Sequence, residues 1–331
     1  MGNVVDFNSI QKAHPYTLVS LFAGAGGLDL GFHNESFNIL WANDIDEDAC
    51  ATHKRWSKAK IVCGDIGKID YSEIPNSDVI AGGFPCQGFS LAGPRKIDDK
   101  RNTLYKYFVK LVEEKMPYIF VAENVKGILT LGDGSIIEAI IEDFSNRGYN
   151  VFPNLINAAD YGVPQDRWRV IMLGFRKDMN VTEYTFPTPF KYKITIKEAL
   201  KNVNEPKSSD ICHGSFSSRY MSRNRKRNWN DVSYTVPAMS KQVPLHPSSP
   251  DMVKLGEDDW IFGEGSTRRY SWQEAAAIQT FPSYIEFAGN LTSKYKQIGN
   301  AVPVKLAEVV ARDVRSKLDN FLVKNDMEKR V

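Results

Sequence analysis

Cysteine is scarce in this chain, and what there is forms no framework. The four cysteines (Cys50, Cys63, Cys86, Cys212) are scattered and make no C-x-x-C. The five histidines add no ligand spacing beyond Cys50 with His53 and Cys212 with His213, so neither a zinc site nor a disulfide scaffold is expected. No run approaches the ~18 apolar residues of a membrane span. The N-terminus has no apolar signal core, and Asp6 stands where a myristoylation signal takes Ser or Thr. Net charge is also small, +2 from 42 basic and 40 acidic residues. The whole chain therefore does not advertise a polyanionic partner, which has to be sought in local clusters. There is no internal repeat and no low-complexity tract. The expectation is a soluble protein of a reducing compartment, without metal or membrane. Its 331 residues fit one large domain or one and a half.

What is present is an alternation of short apolar runs with amphipathic stretches. Strands are expected at 17–22, 37–42, 60–62, 78–81, 118–122, 149–156 and 169–175. Helices are expected at 46–56, 102–115 and 135–146, the second with Leu104, Phe108, Leu111 and Val112 near one face. This predicts an α/β domain with a largely parallel sheet. The pattern breaks at Phe186-Pro187-Thr188-Pro189, and the next ~80 residues are polar and proline-rich. They read as a smaller domain with little regular helix. Helical pattern resumes over 271–280, and a strong helix candidate begins at Pro303, a residue suited to a first helical position. Its Ala307, Val310, Ala311, Val314 and Leu318 share a face that needs the first domain's sheet. The expected division is 1–186 plus 266–331 for the large domain and 187–265 for the small one.

Each early strand is followed by a polar or glycine-rich turn. These are Ala23-Gly24-Ala25-Gly26-Gly27, Asn43-Asp44, Gly64-Asp65-Ile66, Pro85-Cys86-Gln87 and Glu123-Asn124. In an open parallel sheet, ligands bind outside the carboxyl ends of the strands, so all five converge on one edge. The glycine loop alone is equally a tight strand-helix turn, and it lacks the full G-x-G-x-x-G of a dinucleotide site. Asp44 could take ribose hydroxyls or cap a helix in competition with Asp46, and Asp65 could accept from an exocyclic amine or cap a turn. Together they describe an adenosine-containing ligand that needs no pyrophosphate, and S-adenosylmethionine fits. Cys86 sits in a sharp Gly-Gly-Phe-Pro-Cys-Gln turn, placed for attack rather than packing. Glu123 ends an apolar run, where a desolvated carboxyl could hold a proton near neutral pH, unless a nearby Arg pairs with it. Arg167 and Arg169, two residues apart at a strand start, are expected on one side, where they suit a carbonyl oxygen or a phosphate.

At this point the residues resemble a family. Phe22-Ala23-Gly24-Ala25-Gly26-Gly27, Pro85-Cys86-Gln87, Glu123-Asn124-Val125, Gln165-Asp166-Arg167-Trp168-Arg169 and Gln297-Ile298-Gly299-Asn300-Ala301-Val302-Pro303 occur in that order. The chain is similar to DNA (cytosine-5)-methyltransferases of bacterial type over nearly its whole length. The resemblance implies a Rossmann-like mixed sheet with helices on both faces and an irregular target-recognition domain. It sets Phe22, Gly24, Gly26, Gly27, Leu28, Asp44, Ile45, Asp65, Ile66, Pro85, Leu104, Asn300 and Val302 around S-adenosylmethionine. It makes Cys86 the nucleophile, puts Glu123 and Arg169 on the target base, and puts Arg167 at the flipped nucleotide's phosphate. Arg269-Tyr270-Ser271-Trp272-Gln273-Glu274-Ala275 resembles the family motif that props the recognition domain, with Gln273 where Arg is common.

The implied reaction is C5 methylation of an extruded cytosine in double-stranded DNA. Ser90, Arg95, Lys96 and Arg101 fall in the implied lid, Gly88–Arg101, and Gln87 just before it is likewise expected to meet DNA. The segment carrying Arg219, Arg223, Arg225 and Arg227 is dense in base, has no acid and is expected to meet DNA. Its wording is similar to recognition domains acting on GC-rich sites such as GGCC. A cytoplasmic, nucleoid-associated monomer is expected, within a restriction-modification system whose endonuclease shares the site without binding this chain. Three other readings stand beside this one, and retention of Cys86, Glu123 and Arg169 argues against the first, a catalytically dead DNA-binding relative. A tRNA cytosine-5 methyltransferase of the same superfamily would carry a Cys-Phe-Thr signature, absent here. A nicotinamide-dependent oxidoreductase leaves Pro85-Cys86-Gln87 unexplained.

Overall fold

A computed structural model describes residues 15–85 and 104–328, with side chains to 323. Cys86, Gln87, Ser90, Arg95, Lys96 and Arg101 lie outside the described residues.

Eight strands occupy the first half: β1 (Thr17–Leu21), β2 (Asn38–Asp44), β3 (Lys60–Cys63), β4 (Val79–Gly82), β5 (Ile119–Val125), β6 (Tyr149–Asn157), β7 (Gln165–Asp166) and β8 (Trp168–Arg176). Seven of them form one sheet in the order β3-β2-β1-β4-β5-β8-β6. The first five pair in parallel, and β8 runs antiparallel to both β5 and β6. The sheet is therefore mixed. Successive side chains along a strand point to opposite faces, and the cores follow that rule. Leu18, Val79, Ala81, Ile119, Val121, Ile171 and Leu173 go to one core. Val19, Ile80, Phe120, Ala122, Val170 and Met172 go to the other. With both faces covered, the central strands read as continuous apolar runs rather than alternations.

Helices α1 (Gly27–Asn34), α2 (Glu47–Trp56), α3 (Leu104–Lys115) and α4 (Ser135–Ser145) connect these strands. Helix α1 has a weak signature in the sequence, because its first turn, Gly27-Leu28-Asp29-Leu30, follows Gly26 without a capping side chain. Its Gly31 has a packing reason: a Cβ there would lie 2.3 Å from the Ala307 Cβ. That neighbour belongs to the long C-terminal helix, which follows α5 (Ile196–Leu200), α6 (Ser218–Met221), α7 (Trp272–Ile278) and α8 (Leu291–Asn300) as α9 (Val304–Glu328). Ala307, Val310, Ala311, Val314 and Leu318 of α9 are buried against the first core. Helix α8 is likewise faint in the sequence, since its Leu-Thr-Ser-Lys-Tyr-Lys stretch carries little apolar signal.

Between α5 and α7 regular structure is sparse. β9 (Ser233–Tyr234) pairs with β7, and β10 (Met252–Gly256) pairs with β11 (Asp259–Phe262). The small core here is Tyr220, Leu245 and Met252, with Phe216 and Phe262 against it. Arg269, 1% exposed, closes that core with its guanidinium 3.8 Å from the Phe216 ring centre and 5.1 Å from that of Tyr220. Its charge is met by the carbonyls of Gly214 (2.8 Å) and Cys212 (3.0 Å). Among the described residues no helix is long and apolar enough to cross a membrane. No group of three or more His, Cys, Asp or Glu side chains among them is placed to hold a metal ion.

Candidate active site

The strand order reverses between β1 and β4, and their carboxyl ends lie side by side, Leu21 opposite Gly82. A Cβ at Gly82 would lie 2.5 Å from the Leu21 carbonyl oxygen, so only glycine allows this approach. The glycine loop leaves β1 through Phe22 and Gly24, both left-handed at φ 54 and 56. Asp44, at the end of β2, braces the loop: Oδ2 accepts from Gly24 N–H (2.7 Å) and Oδ1 from Asp46 N–H (2.9 Å). Burial raises the Asp44 pKa, and the backbone donors oppose it. Asp46, not Asp44, caps α2 through Ala49 N–H (3.0 Å). Ile45 beside it is 72% exposed, an apolar side chain at a polar edge. Nothing crowds a Cβ built at Gly24, whereas Gly27 packs on the Val302 carbonyl, 2.4 Å from its would-be Cβ. Pro85 and Asn300 are exposed, and Leu104 is half-buried at the start of α3. An open glycine, a braced carboxylate and an exposed isoleucine fit a nucleoside, which presents a flat base and ribose hydroxyls. Three expected contributors have their side chains largely in the cores, among them Val302, 7% exposed in the first core. Ile66 is 3% exposed and faces the second core, because Asp65 turns the chain by accepting from Gly67 N–H (2.9 Å). Leu28 is 5% exposed in the first core, held inward by α1.

Toward β5 the site changes character. Glu123 does not stand alone in apolar surroundings. Its Oε1 is 2.8 Å from Arg169 Nε, with both side chains largely buried. The β5–β8 register places Glu123 opposite Ile171 and Arg169 opposite Val125, so the pair spans two antiparallel strands diagonally. Gly83 leaves room for this carboxylate, since a Cβ there would be 3.1 Å from Oε2. Asn124, for which the sequence suggested no role, donates from Nδ2 to the Phe84 carbonyl (3.0 Å). It thereby fixes the chain two residues before Cys86.

Arg167 does not share this edge with Arg169. The chain breaks between β7 and β8 at this residue, so the two-residue alternation of an unbroken strand fails. Arg167 is 1% exposed and donates to the carbonyls of Val236, Gly299 and Ala301. It is not available to a phosphate. The basic segment is also only partly a surface. Arg219 and Arg223 are exposed. Arg225 is 7% exposed, stacked on Tyr220 and donating to the Tyr220 and Arg219 carbonyls, both at 2.8 Å. Arg227 stands half-buried between, its guanidinium 4.2 Å from the Tyr234 ring centre and 3.2 Å from Asp166 Oδ2. Near Gln273 the structural pair is Arg268 with Glu274, two parallel bonds of 2.7 and 2.8 Å, beside His246 at 3.4 Å. A glutamine at 273 therefore costs this chain no ion pair.

A family model for C-5 cytosine-specific DNA methylases matches residues 16–316. The chain belongs to this family. It is 40% identical over 366 residues to the Type II methyltransferase M.BsuRI of Bacillus subtilis, covering 96% of this chain and 82% of that protein. It is 39% identical to M.FnuDI of Fusobacterium nucleatum, covering 95% and 98%. A putative DNA modification methyltransferase of an E. coli prophage shares the fold at TM-score 0.72 and 23% identity, covering 92% and 99%. An Entamoeba histolytica methyltransferase does so at 0.70 and 15%, covering 93% and 99%. This cytosine methyltransferase acts on DNA and uses S-adenosylmethionine.

The methyltransferase's glycine loop rests on a buried pair that the sequence concealed. Asp29 and His53 are wholly buried, with Oδ2 and Nε2 3.4 Å apart. His53 stacks on Trp56, ring centres 4.8 Å apart, and Trp56 Nε1 donates to the Ala25 carbonyl (3.1 Å). A Cβ at Gly26 would meet both rings. Burial pushes the Asp29 carboxyl up to about 7 and the His53 imidazole down to about 4. Asp29 alone makes stability fall as pH rises from about 4 to about 7, because the folded form binds the extra proton. His53 alone makes stability rise from about pH 4 to about 6.5, because the unfolded form binds it. Between about pH 4 and 6.5 the folded pair keeps one proton on Asp29 and the unfolded pair keeps one on His53, so the two slopes cancel. Asp29→Asn leaves His53 uncompensated. Urea unfolding should then show stability rising by about 2 kcal/mol from about pH 5 to about pH 6.5 relative to the parent. An unchanged pH profile in the variant would refute the assignment.

Proposed function

We propose that the chain methylates cytosine at C5 within one short GC-rich site such as GGCC, with Cys86 as nucleophile and Glu123 and Arg169 on the base. The observation that carries this is the Glu123–Arg169 pair at the end of β5, beside Gly83, which stands three residues before Cys86 in sequence. A carboxyl group and a guanidinium held 2.8 Å apart suit a ring that presents an N3 to be protonated and an O2 that gains charge. Addition of the Cys86 thiolate to C6 breaks the aromaticity of the extruded cytosine and makes C5 enamine-like. Glu123 holds a proton at N3, and Arg169 stabilises O2. S-adenosylmethionine, when bound, supplies an electrophilic methyl group on a sulfonium. The residues that would hold it are Phe22, Gly24, Asp44, Ile45, Asp65, Pro85, Leu104, Asn300 and Val302. Loss of the C5 proton and elimination of Cys86 restore the ring. Residues 187–265 serve as the recognition domain. The enzyme works as a monomer within a restriction-modification pair whose endonuclease cuts the same site. The names of its relatives as Type II methyltransferases support that setting.

Cys86→Ala should abolish methyl transfer and keep DNA binding, while Glu123→Gln should slow single-turnover methylation far more than it weakens cofactor binding. Turnover by the alanine variant, or an unchanged single-turnover rate in the glutamine variant, contradicts these roles.

Arg227 is the basic side chain best prepared to read a base edge, because Asp166 and the Tyr234 ring fix its fork before DNA arrives. Arg227→Ala should cost about 1–3 kcal/mol of discrimination at one position of the site. Affinities measured across singly substituted duplexes check it, and uniform weakening on every sequence would make it a phosphate contact instead.

A further inference from the structure

Gln165 and Arg167 belong to the motif that the sequence tied to the target base, yet both side chains turn away from that edge into the protein. Gln165 Nε2 donates to Gln279 Oε1 (2.6 Å) and to the Ile278 carbonyl (3.2 Å). Its Oε1 accepts from Val236 N–H (3.0 Å). Arg167 Nη1 donates to the carbonyl of the same Val236 (3.2 Å), and Nη2 donates to the carbonyls of Gly299 (2.9 Å) and Ala301 (3.0 Å). Gln279 Nε2 completes the cluster on the carbonyls of Ile298 (2.6 Å) and Ala301 (3.1 Å). Gln165 and Gln279 are fully buried, and Arg167 is nearly so.

Four separate stretches of chain meet here: residues 165–167, Val236, residues 278–279 at the end of α7, and residues 298–301. Val236 lies in the small polar region, residues 298–301 lead into the turn that packs Val302 on Gly27, and Arg167 stands two residues from the Glu123 partner. A guanidinium stays charged in proteins, and burial pushes this one well below its ordinary pKa. Among the described residues no carboxylate forms an ion pair with it. Its compensation is the set of three carbonyls, two on the cofactor side and one on the recognition side. Neither stretch can shift without stripping acceptors from a buried cation, which water cannot reach to replace.

We propose that Gln165, Arg167 and Gln279 are positioning residues that make the recognition region and the cofactor-closing turn move as one body, so that cofactor and DNA raise each other's affinity. This rests on the reading of residues 187–265 as the recognition domain and of Val302 as part of the cofactor pocket.

The test is a binding cycle with S-adenosylhomocysteine and a duplex carrying the site that the wild type methylates. In the wild type, saturating S-adenosylhomocysteine should tighten DNA binding at least about fivefold, and DNA should tighten S-adenosylhomocysteine by the same factor. Arg167→Lys, which keeps the charge but loses the fork, should bring that factor within about twofold of unity. Each ligand alone should still bind within about threefold of wild type. Gln279→Met, which changes no charge, should give the same result and serves if the lysine variant fails to fold. A folded variant with weakened single-ligand binding and an unchanged coupling factor would overturn the proposal, as would a wild type that binds both ligands without coupling. A wild type that binds neither ligand would overturn the underlying functional reading instead.

Discussion

Everything at this site depends on how closely β1 and β4 approach where the strand order reverses. The Leu21 carbonyl occupies the space that a side chain at 82 would need. That contact sets the glycine loop and the segment Gly83-Phe84-Pro85 on adjacent strand ends. From there the other parts follow by short reach. Asp44 steadies the first loop from β2, and Asn124 steadies the second from β5. On the proposed function, cofactor chemistry and base chemistry share an edge because these two backbones touch.

The sequence revealed the strands more readily than the side-chain directions. Runs such as Ile119 to Ala122 announce a strand buried on both faces, and the polar residue that ends each run marks the edge where ligands bind. Ordered motifs then named the chemistry. Periodicity could not give the aim of Arg167, because one break between β7 and β8 reverses it. Nor could it give the burial of Ile66, which Asp65 decides by capping a turn. Helix α1 is faint in the sequence because of glycines such as Gly31, whose packing partner Ala307 lies in α9, nearly three hundred residues away. Long-range packing of that kind leaves no local trace.

Basic residues mislead for a related reason. Density of arginine between 219 and 227 suggests an exposed electrostatic surface. In the fold, Arg225 and Arg269 lie on aromatic rings and bond carbonyls, filling a region too poor in aliphatic side chains to pack otherwise. Arg227 is intermediate, held by protein on one side and open on the other. The same residue type thus serves as core and as brace and, on the proposed function, as reader, and only the acceptors around each guanidinium distinguish them. The buried Asp29–His53 pair makes the parallel point for acids: an aspartate in an apolar helix supports the loop above it rather than touching substrate.

The most direct measurement is bisulfite sequencing of DNA from cells that express the protein. The account predicts protected cytosines at one position of a single short GC-rich site, and no protection elsewhere or in cells expressing Cys86→Ala. Complete conversion of every cytosine in the presence of folded wild-type protein would contradict it.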